Sequence, residues 1–183
     1  MKCLLFLANG FEDHEALTTR DVLIRSGIEV TTVSITDDIK VTTSHGVTLF
    51  ADKLLKDVDA NAFDAIILPG GYNGVFEGLD NCDALEEIIK NYNNSNKLIC
   101  AICAAPHIIG KYGLLKDKKY TCFPGCNDKF EGGEYQQKFG VVTDGNIITA
   151  KSMYYTIQFA LEIVEYLLGK DKRYFMELKL RGE

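Results

Sequence analysis

No stretch of this sequence is apolar for long enough to cross a bilayer, so a membrane span is not expected. The first apolar run, Cys3 to Ala8, soon gives way to the acidic segment Glu12-Asp13-His14-Glu15 and has no small-residue cleavage site. It reads as the first strand of the fold and not as a secretory signal. Basic excess is missing too: 20 Lys and Arg against 26 Asp and Glu leave a net charge of -6. That balance gives no nucleic-acid footprint. Lys170, Lys172, Arg173, Lys179 and Arg181 gather near the C-terminus, but Asp171, Glu177 and Glu183 interleave with them, the pattern of a solvated helix end. Proline occurs three times and the 16 glycines are scattered, so they mark turns and not linkers. The expectation is one cytoplasmic domain over residues 1–183, long enough at 183 residues to bury a hydrophobic core.

Metal-ligand spacing is likewise lacking. Six cysteines stand at 3, 82, 100, 103, 122 and 126, without a close pair and a plausible closing pair to complete a site, and the three histidines (14, 45, 107) are scattered; no metal is expected. In a cytosolic chain these cysteines read as free thiols. Cys100 and Cys103 form a C-x-x-C, but Cys100 falls within the apolar run Leu98–Ile102. Strand geometry turns residues three apart to opposite faces, which argues against a redox pair.

What is present is an alternation of apolar β-type runs with helical patterns. Strands are predicted at Lys2–Leu7, Glu29–Val33, Ala65–Leu68, Leu98–Ile102, Tyr120–Phe123, Val141–Thr143 and Asn146–Ala150, the last two joined by an Asp144-Gly145 turn. Lys40–Thr43 and Val47–Phe50 form a small hairpin around Ser44-His45-Gly46. Helices are predicted at His14–Arg25, Cys82–Tyr92, Ala104–Tyr112 and Thr156–Leu168, with a short one over 171–180. Apolar strands separated by helices imply a parallel sheet covered on both faces, a three-layer α/β sandwich.

Ligands of such sheets collect beyond the carboxyl ends of the strands, and unusual residues stand at several of those ends. Ile102-Cys103-Ala104-Ala105-Pro106 passes from strand to helix through small residues, the layout of a nucleophile elbow. A helix N-terminus there would favour a thiolate, so Cys103 is expected to be a reactive thiol of lowered pKa; a buried, inert cysteine is the plainer alternative. Glu15 falls near the same sheet end, where a carboxyl beside a thiolate would hold its proton and could shuttle protons. Equally, it could be one more acidic first-turn residue, as Glu12 and Asp13 could be. Gly70 and Gly71, after Pro69, bring backbone N–H groups close to a ligand and with the Ala104 N–H could form an oxyanion hole.

Together these segments resemble the DJ-one/ThiJ/PfpI superfamily. The matching stretches are 7–15, ending in Glu15; 64–71, ending in Pro69-Gly70-Gly71; 101–106, around Cys103; and 159–167. The resemblance implies a flavodoxin-like α/β/α sandwich, usually a homodimer. It implies a nucleophilic, oxidation-prone Cys103 with Glu15 as its protonated partner and an oxyanion site at Gly70, Gly71 and Ala104. The activity implied is a cofactor-independent one, glyoxalase or deglycase, on small reactive aldehydes or glycated thiols and amines. An oxidative-stress sensor or chaperone is the alternative; a peptidase or a thiazole-biosynthesis role is further off. Two positions depart from the family pattern. Ala104 stands where the peptidase branch has a histidine, and Phe123, in Cys122-Phe123-Pro124, stands where many glyoxalase-type members have one. Phe123 would then face the substrate. His107, in the helix after Pro106, reads as a surface or packing residue.

Overall fold

The structure, a computed structural model, describes residues 1–128 and 130–183. In chain order it runs β1 (Lys2–Leu7), α1 (Asp13–Arg25), β2 (Glu29–Ser34), β3 (Lys40–Thr42), β4 (Thr48–Phe50), β5 (Lys53–Leu54) and β6 (Ala65–Leu68). There follow α2 (Asp83–Asn94), β7 (Leu98–Ile102), α3 (Pro106–Lys111), β8 (Lys119–Tyr120), β9 (Glu134–Tyr135), β10 (Val141–Asp144), β11 (Ile147–Ala150), α4 (Thr156–Leu168) and α5 (Lys170–Arg181).

Strand β1 shows why the layers form. Cys3, Leu5 and Leu7 pack with Ala16, Leu23, Phe159 and Ile163 of α1 and α4, while Leu4, Phe6 and Ala8 pack with Leu85, Ile89 and Ile108 of α2 and α3. Side chains alternate across a strand, so a strand apolar at every position feeds two cores at once. Phe6 is fully buried, and cutting it to alanine would cost about 3–5 kcal/mol. The main sheet has the order β10-β11-β7-β6-β1-β2-β5. Its pairs are parallel except β10 with β11, which makes the three-layer sandwich expected from the alternation, in the flavodoxin-like form that the resemblance implies. Among the described residues no helix is long and apolar enough to cross a membrane.

Register brings the site to one edge. Leu68 pairs with Ala101 and Ala150 with Ile102, so the chain leaves β6, β7 and β11 at nearly the same height.

Several local expectations are corrected. Tyr120–Phe123 is not a strand of the main sheet: only Lys119–Tyr120 pairs, with Glu134–Tyr135, in a separate two-stranded ribbon. The Thr121 N–H is instead satisfied by the Thr149 hydroxyl at 2.9 Å. The helix expected from Ala104 starts at Pro106, because Ala104 and Ala105 lie in the turn that reverses the chain after β7. Strand β5, two residues at the sheet edge, is too short to leave a periodic signal.

Candidate active site at the strand ends

Cys103 has φ +63°, a left-handed conformation uncommon for a side-chain-bearing residue and worth roughly 1 kcal/mol or more of local strain. It is held there from both sides. Its N–H donates to the Ala150 carbonyl at 2.8 Å, and its own carbonyl accepts the Phe123 N–H at 2.8 Å. The first of these continues the β7–β11 ladder by one residue, so the sheet itself fixes the elbow.

Glu15 lies in the first turn of α1 and is 1% exposed. Capping of α1 falls to Glu12, whose Oε2 accepts the Glu15 N–H at 2.6 Å. The Glu15 side chain is therefore left to point inward. Its Oε2 accepts the Gly70 N–H at 2.8 Å. Oε1 makes no well-formed hydrogen bond among the described residues; the Cys103 thiol stands against the carboxyl group and couples to it. Burial, then the nearby Glu12 charge, push the Glu15 carboxyl up from 4.5 to about 7, against the Cys103 and Gly70 hydrogen bonds that favour its charged form.

Gly70 is the spacer between the two groups. A Cβ there would come within 2.5 Å of Glu15 Oε2 and 2.7 Å of Cys103 Cβ. Its carbonyl accepts the Glu12 N–H at 3.0 Å, so this one residue holds both the backbone and a side chain at the start of α1. The Gly70 N–H, expected to face an oxyanion, is thus already donated to Glu15. Gly71 has φ +94°, and a Cβ on it would collide with the Gly10 carbonyl and lie 2.7 Å from Glu12 N. Its N–H meets no acceptor among the described residues. The Ala104 N–H is directed at the Cys103 sulfur.

The expected lowering of the Cys103 pKa is corrected. Burial first, then the Glu15 charge and hydrogen bond, then Cys126, push the thiol well above its ordinary range; the Ala104 N–H opposes them. The reason is burial beside a carboxyl: the one N–H from Ala104 does not offset desolvation and the Glu15 charge. Two anions cannot share this site, so Cys103 and Glu15 titrate as a coupled pair.

Phe123 lies directly beside the elbow. Its side chain is 48% exposed, and its link to Cys103 runs through the backbone. His107 is a packing residue, 3% exposed, with its ring 5.0 Å from Phe76 and Nε2 3.6 Å from Asp80 Oδ2. Cys100 is wholly buried, its thiol pushed far up by desolvation. What sequence reasoning missed is His45. The β3–β4 turn sets its Nδ1 3.0 Å from Asp13 Oδ1, which holds the Asp13 carboxyl below its usual range and raises the imidazole. Ligand atoms of Glu12, Asp13 and His45 lie within 4.8 Å of one another, but Glu12 is occupied as the helix cap and Asp13 as the histidine's partner. Three surface grooves of about 480, 500 and 610 Å³ are lined by neither Cys103 nor Glu15.

Comparison with known proteins bears on this geometry. The protein "DJ-1 homolog B" of Arabidopsis thaliana is 40% identical over 172 residues, covering 93% of this chain and 39% of its own length. The chain thus spans about two fifths of that relative. A Caenorhabditis elegans protein named "glutathione-independent glyoxalase DJR-1.2" is 36% identical over 163 residues, 88% of this chain and 85% of its own. Among solved structures, DJ-1beta of Drosophila melanogaster superposes with a TM-score of 0.92 at 32% identity, covering 98% of this chain and 96% of its own. The model of the DJ-1/PfpI family matches residues 1–166, and the chain belongs to that family.

Proposed function

We propose that this protein is a cofactor-independent, glyoxalase- or deglycase-like enzyme that acts on small reactive carbonyls through Cys103, with Glu15 as proton shuttle. The observation that carries the reading is the buried Glu15 carboxyl, poised at about 7 and locked by the Gly70 N–H against the thiol. A group titrating near neutral pH serves as acid and base in turn. The naming of the Caenorhabditis elegans relative as a glyoxalase supports the same class of substrate.

For an α-oxoaldehyde, the Cys103 sulfur attacks the aldehyde carbon while the thiol proton passes to Glu15. The new oxyanion faces the N–H groups of Gly71 and Ala104 and takes a proton back to give a hemithioacetal. The Glu15 carboxylate then removes the proton on that carbon to give an enediol and returns it to the neighbouring carbon, while the hydroxyl proton passes to the neighbouring oxygen, leaving the thioester of a 2-hydroxy acid. Water releases the 2-hydroxy acid and restores the thiol. Leu17 and Phe50, both exposed and lining one shallow depression with Leu49, offer an apolar face on α1 and β4 for the expected homodimer.

The test is methylglyoxal turnover by Cys103→Ala and Glu15→Gln. Each is expected to lose about a thousandfold or more; full activity in either contradicts the mechanism. A second reading, oxidation of Cys103 as a redox signal, is favoured by one observation: another thiol, Cys126, is tied to the elbow by two successive backbone hydrogen bonds through Phe123.

A further inference from the structure

Cys126 is remote from Cys103 in sequence and reads there as an ordinary thiol. In the fold it is joined to the elbow by a short backbone path. The Cys103 carbonyl accepts the Phe123 N–H at 2.8 Å, and the Phe123 carbonyl accepts the Cys126 N–H at 3.0 Å. The second link closes an i→i+3 turn, whose end Cα atoms lie within about 7 Å of each other, so Cys126 stands one such turn beyond the residue bonded to Cys103. It is half-buried, whereas Cys100 and Cys122 are fully enclosed. Negative charge on it acts on both Cys103 and Cys122. Between Phe123 and Cys126 lie the exposed Pro124 and Gly125. Around Gly125 (φ +86°) the nearest atom a Cβ would meet is Asp128 Oδ2 at 3.8 Å, so the tip of this turn is open on that side.

We propose that Cys126 is the resolving thiol of Cys103, closing a reversible disulfide to it after reaction with a hydroperoxide. The inference rests on the reading of Cys103 as the reactive thiol. The Cys103 sulfur attacks the peroxide oxygen; the O–O bond breaks, the sulfur loses two electrons and becomes a sulfenic acid, and the peroxide leaves as an alcohol or water. The Cys126 thiolate then attacks that sulfur. An S–S bond forms, the S–O bond breaks, and the leaving hydroxide takes up a proton as water. Closure needs the two Cα atoms at about 6 Å, a movement of a few ångströms by the Pro124–Cys126 turn. A disulfide here diverts Cys103 from the irreversible sulfinic acid and switches off carbonyl chemistry until a dithiol returns two electrons and two protons.

The experiment treats the full chain with equimolar hydrogen peroxide and maps its peptides by mass spectrometry without reduction. Wild type, Cys126→Ser and Cys126→Ala are compared, their thermal midpoints reporting that each folds. The expected result is a Cys103–Cys126 linked peptide in wild type that dithiothreitol removes. Both variants should lose it and accumulate Cys103 carrying two added oxygen atoms. Wild-type Cys103 reaching the sulfinic acid with no linked peptide overturns the proposal while leaving Cys103 reactive. So does a link to Cys122. A Cys103 no more oxidised than Cys82 overturns both this inference and the reading beneath it, and that outcome is distinct from the others. The wild-type map decides the matter even if neither variant folds.

Discussion

Cys82 and Cys103 are both half-buried thiols at the start of a helix, and by the helix argument alone Cys82 has the better place. It is the N-cap residue of α2, which has 12 residues, with the N–H groups of Leu85 and Ala84 turned toward its sulfur without closing a cap bond. Cys103 precedes a helix of 6 residues by three positions and receives one N–H, from Ala104. The difference lies in what comes from elsewhere in the chain. Cys82 has an extended backbone and only its neighbour Asp83 as an acidic influence. Cys103 has a left-handed backbone pinned by Ala150 and Phe123, and a buried carboxyl brought to it by Gly70. Convergence of strand ends makes the site; a helix terminus does not.

The sharpest way to break that contrast is to fill the spacer. Gly70→Ala puts a methyl group between Glu15 and Cys103, where the closest approach is 2.5 Å. Turnover is expected to fall about a hundredfold and stability by about 1–3 kcal/mol, read by steady-state kinetics and chemical unfolding.

A second effect follows from the Glu15 carboxyl. Its folded pKa, about 7, lies above the ordinary 4.5, so between those values the folded chain binds more protons than the unfolded chain. Stability therefore falls as pH rises through that window. Above pH 7 the whole linkage penalty, about 3 kcal/mol, weighs on the wild type. Glu15→Gln removes it, so unfolding curves at pH 5 and pH 8 should differ less for the variant than for wild type. The smallest effect belongs to Cys82→Ser. Serine closes the α2 cap that the thiol leaves open and is expected to add about 0.5–1 kcal/mol with turnover unchanged.

The layers and the identity of the central strands were legible because β6 and β7 are apolar at every position and β1 at every position after Lys2, a pattern that strands buried on both faces produce. Cys103 at a strand end was legible for the same reason. The Glu15 side chain was placed at the right sheet end, but its release from capping was not visible, because Glu12, Asp13 and Glu15 are interchangeable until Glu12 is seen to accept the Glu15 N–H. Gly70 was expected to hold an oxyanion and instead holds the carboxyl, since a Gly-Gly pair records that backbone comes close and not what it approaches. His45 meets Asp13 across 32 positions, and no local periodicity encodes that distance. The high Cys103 pKa reflects burial and then the Glu15 carboxyl, and neither is encoded in the residues next to Cys103.

The central claim is that Glu15 is a buried carboxyl held next to Cys103 as a proton carrier. Its most direct test is an NMR titration of the Glu15 side-chain carboxyl carbon. The account predicts a midpoint near 7, with the Cys103 environment changing over the same range. A midpoint at the ordinary 4.5, with no response at Cys103, would contradict it.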